Sequence, residues 1–173
     1  VLIDPGNAEI AIFGMGRLGT CAYDVMVEER GEVIIGVDFD HETVRRHENA
    51  GRNVVFGDPT DPDFWALIQP TGKVRLAMLA MPEQVSNLAA AHQLRSKGYT
   101  GMIAATALYD DEIPDLEQAG VDAAFNFYNE AGVGFADHAN ELLEKRLLLS
   151  VPAIPVSIHA VPSRSMEAVP TFR

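Results

Sequence analysis

The chain has 173 residues, 47% of them hydrophobic, with 25 acidic against 13 basic side chains and a formal net charge of −12 at pH 7. A chain of this length buries a sizeable core in one domain with some extension, and its acidity excludes the basic surface that nucleic acids or anionic bilayers require. Cys21 is the single cysteine, which excludes an internal disulfide and a cysteine-built zinc site; the five histidines show no metal-ligand spacing, so no metal is expected.

Glu9 to Phe13 is an apolar run that ends in glycines, the pattern of a parallel strand buried on both faces. Arg17 to Arg30 reads as a helix with Leu18, Cys21, Ala22, Val25 and Met26 on its inner side, Cys21 being a small packed hydrophobe, and Gly31 stops it. Val33 to Val37 is a second strand, closed by Asp38 to Asp40 before a helix over His41 to Ala50. Asn53 to Phe56 is a third. Asp61-Pro62-Asp63 starts a short helix to Ile68, because a capping carboxylate, a proline and a first-turn acid all suit a helix N-terminus.

Val74 to Ala80 is the fourth strand, and Pro82 opens a helix to Lys97 that buries Val85, Leu88, Ala89, His92 and Leu94, with His92 a half-buried, satisfied histidine. Met102 to Ala105 is strand five, Asp110 to Ala119 a helix, and Ala123 to Phe127 strand six. Glu130 to Leu149 then places Phe135, Ala139, Leu142, Leu143 and Leu147 at helical spacing. The alternation predicts an α/β fold of three layers, a Rossmann-like doubly wound, six-stranded parallel sheet over residues 1–149. Residues 150–173, punctuated by Pro152, Pro155, Pro162 and Pro170, read as a linker or tail. The sequence contains no run of eighteen apolar residues and no secretion leader, and it begins at Val1, as a piece of a longer protein would.

The turn after the first strand, IAIFGMGRLGT, fits G-x-G-x-x-G at Gly14, Gly16 and Gly19: one glycine for the tight turn, one for backbone approach to a pyrophosphate, one for helix–strand packing. A phosphate there meets the positive end of the following helix, and Arg17 supplies a local cation. Asp38, about twenty residues on, is placed to accept hydrogen bonds from an adenosine ribose and to repel the 2′-phosphate of NADP. Asp40 reads first as a helix cap. Gly57-Asp58-Pro59-Thr60 either borders an adenine or simply turns and caps, and Ala80-Met81-Pro82 forms the far wall. Asn126, Asn129 and Glu130 cap the last helix or face a ligand or partner. No Tyr precedes a Lys by four residues and no Ser/His/Asp or Cys/His set suggests itself, so no catalytic residue is assigned.

These residues resemble the RCK domain, also called TrkA-N or KTN, the nucleotide-sensing regulatory domain of potassium channels and transporters. The resemblance rests on IAIFGMGRLGT, Asp38, Asn53 to Thr60 and Gln118-Ala119-Gly120-Val121-Asp122, and covers about Ala8 to Glu144. Within the family, DPTDPDFW and FNFYNEAGVGFADH look most like the cytosolic part of Kef-type glutathione-regulated potassium efflux systems. The resemblance implies that Gly14, Gly16, Arg17, Gly19, Asp38, Asp58 and Thr60 contact NAD(H), AMP or another adenine nucleotide, with Met81 beside it. Met15, Leu18, Phe39, Pro59 and Ala80, in the same loops, complete the cofactor-binding set. Pro59 stands where the family usually has alanine, Met81-Pro82 where many members have acids, and no arginine follows strand five at Ala105-Thr106-Ala107. The resemblance further implies a homodimer at the cytoplasmic face of the cell membrane, coupled to an antiporter or channel portion of the same or a partner chain, and the amphipathic last helix is the candidate contact. The other readings are the cofactor-binding fragment of an NAD-dependent oxidoreductase and a Rossmann-shaped interaction module with an empty cleft.

Overall fold

The structure, a computed structural model, describes residues 7–61, 63–64 and 73–150, with backbone only for the last two. The expected helix from Asp61 to Ile68 lies largely outside the described residues, as does the stretch beyond Ser150. The chain divides into two units, Val1–Phe135 and Ala136–Arg173.

The elements in chain order are β1 (Ile10–Phe13), α1 (Arg17–Arg30), β2 (Ile34–Asp38), α2 (His41–Asn49), β3 (Val54–Phe56), β4 (Leu76–Leu79), α3 (Gln84–Ser96), β5 (Met102–Ala107), a 3₁₀ turn (Asp110–Glu112), α4 (Ile113–Gln118), β6 (Ala123–Asn126) and α5 (Phe127–Ser150). The strands form one six-stranded sheet in the order β3-β2-β1-β4-β5-β6. Every pairing is parallel. After β3 the chain crosses to the far side of β1, so the order reverses between β1 and β4 and leaves a crevice at their carboxyl ends.

Side chains alternate across each strand, and the alternation in β1 divides the core into two layers. Ile10 and Ile12 join Met15, Tyr23, Ile34, Val44 and Val54 on the α1 and α2 face. Ala11 and Phe13 join Val37, Ala77, Leu79, Ala90, Leu94, Ile103 and Leu116 on the α3 and α4 face. With helices covering both faces, all four residues of β1 and all five of β2 are buried. At the opposite end of the sheet from the crevice, Arg95 of α3 donates to the carbonyls of Gly120, Tyr99 and Gly101 and to Asp122 Oδ2, tying the starts of β5 and β6 together.

Two helices bury only part of the face expected: Ala22 and Met26 in α1, and Leu88 and Leu94 in α3, pack on the core, but other residues do not. α1 turns Gly19 and Tyr23 inward, while Cys21 and Val25 are exposed. Tyr23 takes the inner position because its ring fills the layer and its hydroxyl accepts the Asn53 N–H at 2.9 Å. α3 buries Asn87, Ala90, Ala91 and Leu94, and exposes His92 and Val85, the latter by 74%. The adjacent alanines let this helix lie close on the sheet, which rotates the bulkier Val85 and His92 outward. The last helix begins three residues earlier than expected because Asn126 Oδ1 accepts the N–H groups of Tyr128 and Asn129, capping it.

In the second unit, α5 exposes Leu142, Leu143, Leu147 and Leu148. Among the described residues no helix is long and apolar enough to cross a membrane.

Ile103→Ala, which empties a fully buried site in β5, is expected to cost about 2–5 kcal/mol in urea denaturation, against less than about 0.5 kcal/mol for Val85→Ala.

Candidate functional site

The glycine turn closes between β1 and α1. Gly14 has φ 91° and its missing side chain leaves room for Met81: a Cβ there would stand 2.9 Å from the Met81 N and Cγ. Gly19 packs against the loop itself, since a Cβ would run into the Gly14 carbonyl oxygen. Gly16 differs from both. A Cβ on Gly16 would meet nothing within 4 Å, so the surface there is open. Gly16 is also the N-cap of α1, with no side chain capping the helix and no acid in its first turn. The positive end of α1 therefore faces outward with its charge unanswered, next to the exposed Arg17.

Between these glycines, Met15 is held from three sides. Its side chain is fully buried in the α1 and α2 layer rather than facing the cleft. Its N–H donates to Asp38 Oδ2 at 2.7 Å. Its carbonyl lies 2.8 Å from His47 Nε2 of α2 and 3.2 Å from the Thr20 hydroxyl oxygen. Asp38, only 8% exposed, also accepts the Asp40 N–H on Oδ1 at 2.9 Å. A carboxylate offers about four acceptor positions, so two backbone bonds leave capacity for ligand hydroxyls and fix the group's orientation. Asp40 caps α2, accepting from the Glu42 and Thr43 N–H groups and the Thr43 hydroxyl, which holds its carboxyl below the usual carboxylate range.

On the β2–β3 side, Phe39 stands 64% exposed directly after Asp38, and Phe56 stacks on His41 at 3.8 Å. In the following loop Asp58 Oδ1 accepts both the N–H and the hydroxyl of Thr60, with Pro59 buried between them. The loop is thus a self-bonded turn, and the Gly57 N–H donates to the Asp38 carbonyl, bringing it beside the end of β2. The structure brings Gly16, Arg17, Leu18, Ala80 and Met81 together around one cavity of about 340 Å³.

Pro82, expected in the far wall, lines that cavity as well, and the rest of the lining comes from residues that sequence reasoning did not assign to the site: Gln84, Asn87, Thr106, Leu108, Glu112 and Phe127. Asn87, 1% exposed, is the most constrained. Its Oδ1 accepts the Met81 N–H, and its Nδ2 donates to the carbonyls of Met81 and Thr106. One buried amide thereby fixes the wall of the cleft to β5. Glu112 Oε2 accepts the N–H groups of Leu108 and Tyr109, shaping the opposite wall. The sequence signal for Asn87 is a polar residue on the alanine face of α3, visible only once that face is known. No group of three or more His, Cys, Asp or Glu among the described residues is arranged to hold a metal ion.

A family model, described as the TrkA-N domain, matches residues 10–127. Solved structures share the fold, among them the following three. The NAD(P)-binding domain of an exopolyphosphatase-related protein from Archaeoglobus fulgidus superimposes with a TM-score of 0.70 at 19% identity, over 78% of this chain and 98% of that one. The TrkA-N domain of the inner membrane protein ybaL from Escherichia coli gives 0.65 at 18% identity, over 76% and 95%. The Kef CTD from Shewanella denitrificans, in its AMP-bound form, gives 0.61 at 16% identity, over 78% and 80%. A search of curated proteins gave no match.

The three glycines are expected to respond differently to one methyl group. Gly16→Ala should melt within about 3 °C of the parent, whereas Gly19→Ala should lose about 3 kcal/mol or fail to fold, as read by thermal denaturation. Asn87→Ala, which leaves the Met81 N–H and two carbonyls without a partner, should cost about 2–4 kcal/mol.

Proposed function

The chain belongs to the TrkA-N domain family, and from that premise we propose that it is a nucleotide-binding regulatory domain, holding NAD(H) or an adenine nucleotide and biasing a potassium efflux or cation/proton antiport system. The observation that carries the reading is the open, uncapped helix terminus at Gly16, set between the buried carboxylate of Asp38 and a cavity of about 340 Å³. Pyrophosphate oxygens meet the helix N-terminus and Arg17; ribose hydroxyls meet Asp38; the adenine lies beside Phe39 and the Asp58-Pro59-Thr60 turn. In a protein of net charge −12, the anion is held by this local arrangement alone.

The cavity favours a dinucleotide over a mononucleotide. It extends from Gly16 and Arg17 to Leu108 and Phe127, with Met81 and Pro82 in its wall, a largely apolar chamber that suits a second, ring-bearing half. The buried Asp38 disfavours NADP, because a 2′-phosphate would bring two further negative charges against a carboxylate sheltered from water.

Regulation requires that occupancy favour one arrangement of a larger assembly. The exposed apolar residues Leu142, Leu143 and Leu147 on α5 support a homodimer through that helix. A transport partner in the membrane is supported by the company the fold keeps: a domain of an inner membrane protein and a Kef domain with AMP bound. On this reading the domain works at the cytoplasmic face of the membrane, as a sensor rather than as an enzyme.

Calorimetric titration is expected to show binding of NAD, NADH, AMP or ATP below about 1 mM and weaker binding of NADP; no binding of any of them at millimolar concentration overturns the proposal. Asp38→Ala should weaken adenosine-nucleotide affinity by about 1–3 kcal/mol. For the assembly, sedimentation should show a dimer that Leu142→Glu together with Leu147→Glu dissociates, while nucleotide affinity per chain is kept.

A further inference from the structure

His47 has no part in the reading above, and it is 3% exposed. It sits on α2, well away in sequence from the glycine turn, yet its Nε2 reaches the Met15 carbonyl at 2.8 Å and lies 3.4 Å from the Thr20 hydroxyl. A carbonyl oxygen only accepts, so the hydrogen of this bond belongs to Nε2. The Thr20 hydroxyl in turn donates to the Gly16 carbonyl at 2.7 Å, so its hydrogen is not available to the ring. The Nδ1 atom on the other side of the ring is buried without a hydrogen-bond partner among the described residues. In the neutral ring that Nδ1 is an acceptor with nothing to accept.

A buried acceptor left unpaired destabilises a protein, and an aliphatic side chain of similar size at that place would avoid the penalty. Packing alone therefore does not account for a histidine here. The bond from Nε2 does. A trans peptide points its C=O and N–H in opposite directions, so fixing the Met15 carbonyl toward α2 turns the Gly16 N–H away from α2, on the loop that borders the cavity. Rotation of this one peptide would exchange the two groups and turn a carbonyl oxygen toward an anion. Gly16 offers no side chain to oppose that rotation. The resistance comes from outside the loop, through His47 on one side and Asp38 on the Met15 N–H on the other.

The geometry points to His47 as a positioning residue of the anion site: it holds the Met15–Gly16 peptide in the orientation that presents the Gly16 N–H to a ligand phosphate. The inference rests on the nucleotide-binding reading for its ligand and on the loop hydrogen bonds for its mechanism, and the two can fail separately. His47→Leu and His47→Gln test it, the second because its amide keeps a donor near the place of Nε2. His47→Leu is expected to melt at or above the parent temperature while NAD affinity falls about tenfold, and His47→Gln to bind within about threefold of the parent. In 15N-resolved NMR of the ligand-free protein, the Gly16 and Arg17 amide resonances should move in His47→Leu and return toward the parent positions in His47→Gln. Leucine and parent binding NAD equally, or a glutamine variant as weak as the leucine one, overturns the inference. If the parent itself binds no nucleotide, the proposed function falls, and unmoved Gly16 and Arg17 amides in His47→Leu then overturn the positioning role as well, whereas moved and rescued amides uphold it.

Discussion

The hydrogen bond from the Met15 N–H to Asp38 Oδ2, 2.7 Å long and buried, is the interaction on which the rest of the site depends. It joins the turn after β1 to the end of β2, so the loop that would carry phosphate and the carboxylate that would carry ribose are set at a fixed separation before any ligand arrives. A buried carboxylate is costly unless its charge is answered by hydrogen bonds, and here backbone N–H groups of Met15 and Asp40 answer it. The same bond explains why Met15 is buried: with its N–H directed to β2, its side chain drops into the layer under α1 and α2. That path exists because Gly36 has no side chain, since a Cβ there would stand 2.7 Å from the Met15 sulfur. Loop conformation, carboxylate orientation and core packing are one arrangement.

Preorganisation of this kind matters more in an acidic protein than in a basic one. A net charge of −12 repels anions at long range, and salt in the cell screens that repulsion beyond about 8 Å. Close to the loop, the helix terminus and Arg17 act over a few ångströms, where they outweigh distant charges. An anion bound there as proposed would need the loop to present its N–H groups without first rearranging, because any ordering on binding would draw on a small favourable energy. The anchors on Met15 and the Asn87 clamp on Met81 supply that order from opposite sides of the cleft.

The succession of strands and helices and the glycine turn were legible because they rest on strong local signals: β-branched runs bounded by glycines, and three glycines at a spacing with a steric reason. The Asp40 cap was legible for the same reason, its carboxylate standing three residues before the Thr43 N–H that it accepts. Helix faces were less so. Leu18, Cys21, Val25 and Val85 are apolar at helical spacing, but the face that packs was chosen by shape, with Tyr23 in α1 and the Ala90-Ala91 pair in α3 filling the space against the sheet. The histidines show the limit most clearly. His92 sits on a hydrophobic-looking face and is exposed, while His47, between charged neighbours in HETVRRHEN, is buried. Its burial is decided by a carbonyl thirty-two residues away, and no local pattern reports such a partner.

The lining of the cavity sets how binding at the cleft would be felt elsewhere. Gln84 and Asn87 in α3, Thr106 and Leu108 at the end of β5, Glu112 in the following turn and Phe127 at the start of α5 all line the one cavity. A ligand that fills only the Asp38 side leaves these residues untouched. A ligand that extends into the cavity meets the first residue of α5, and Phe127 already packs edge-on against Tyr128 at 5.4 Å. Under the proposed function, the length of the ligand, rather than its charge, would decide whether α5 is engaged at its first turn. Ligands of one chemical family could in this way share the same loop and carboxylate and still differ in whether they load the helix. That difference in contact is what a population shift requires, because a ligand that touches both arrangements equally moves neither.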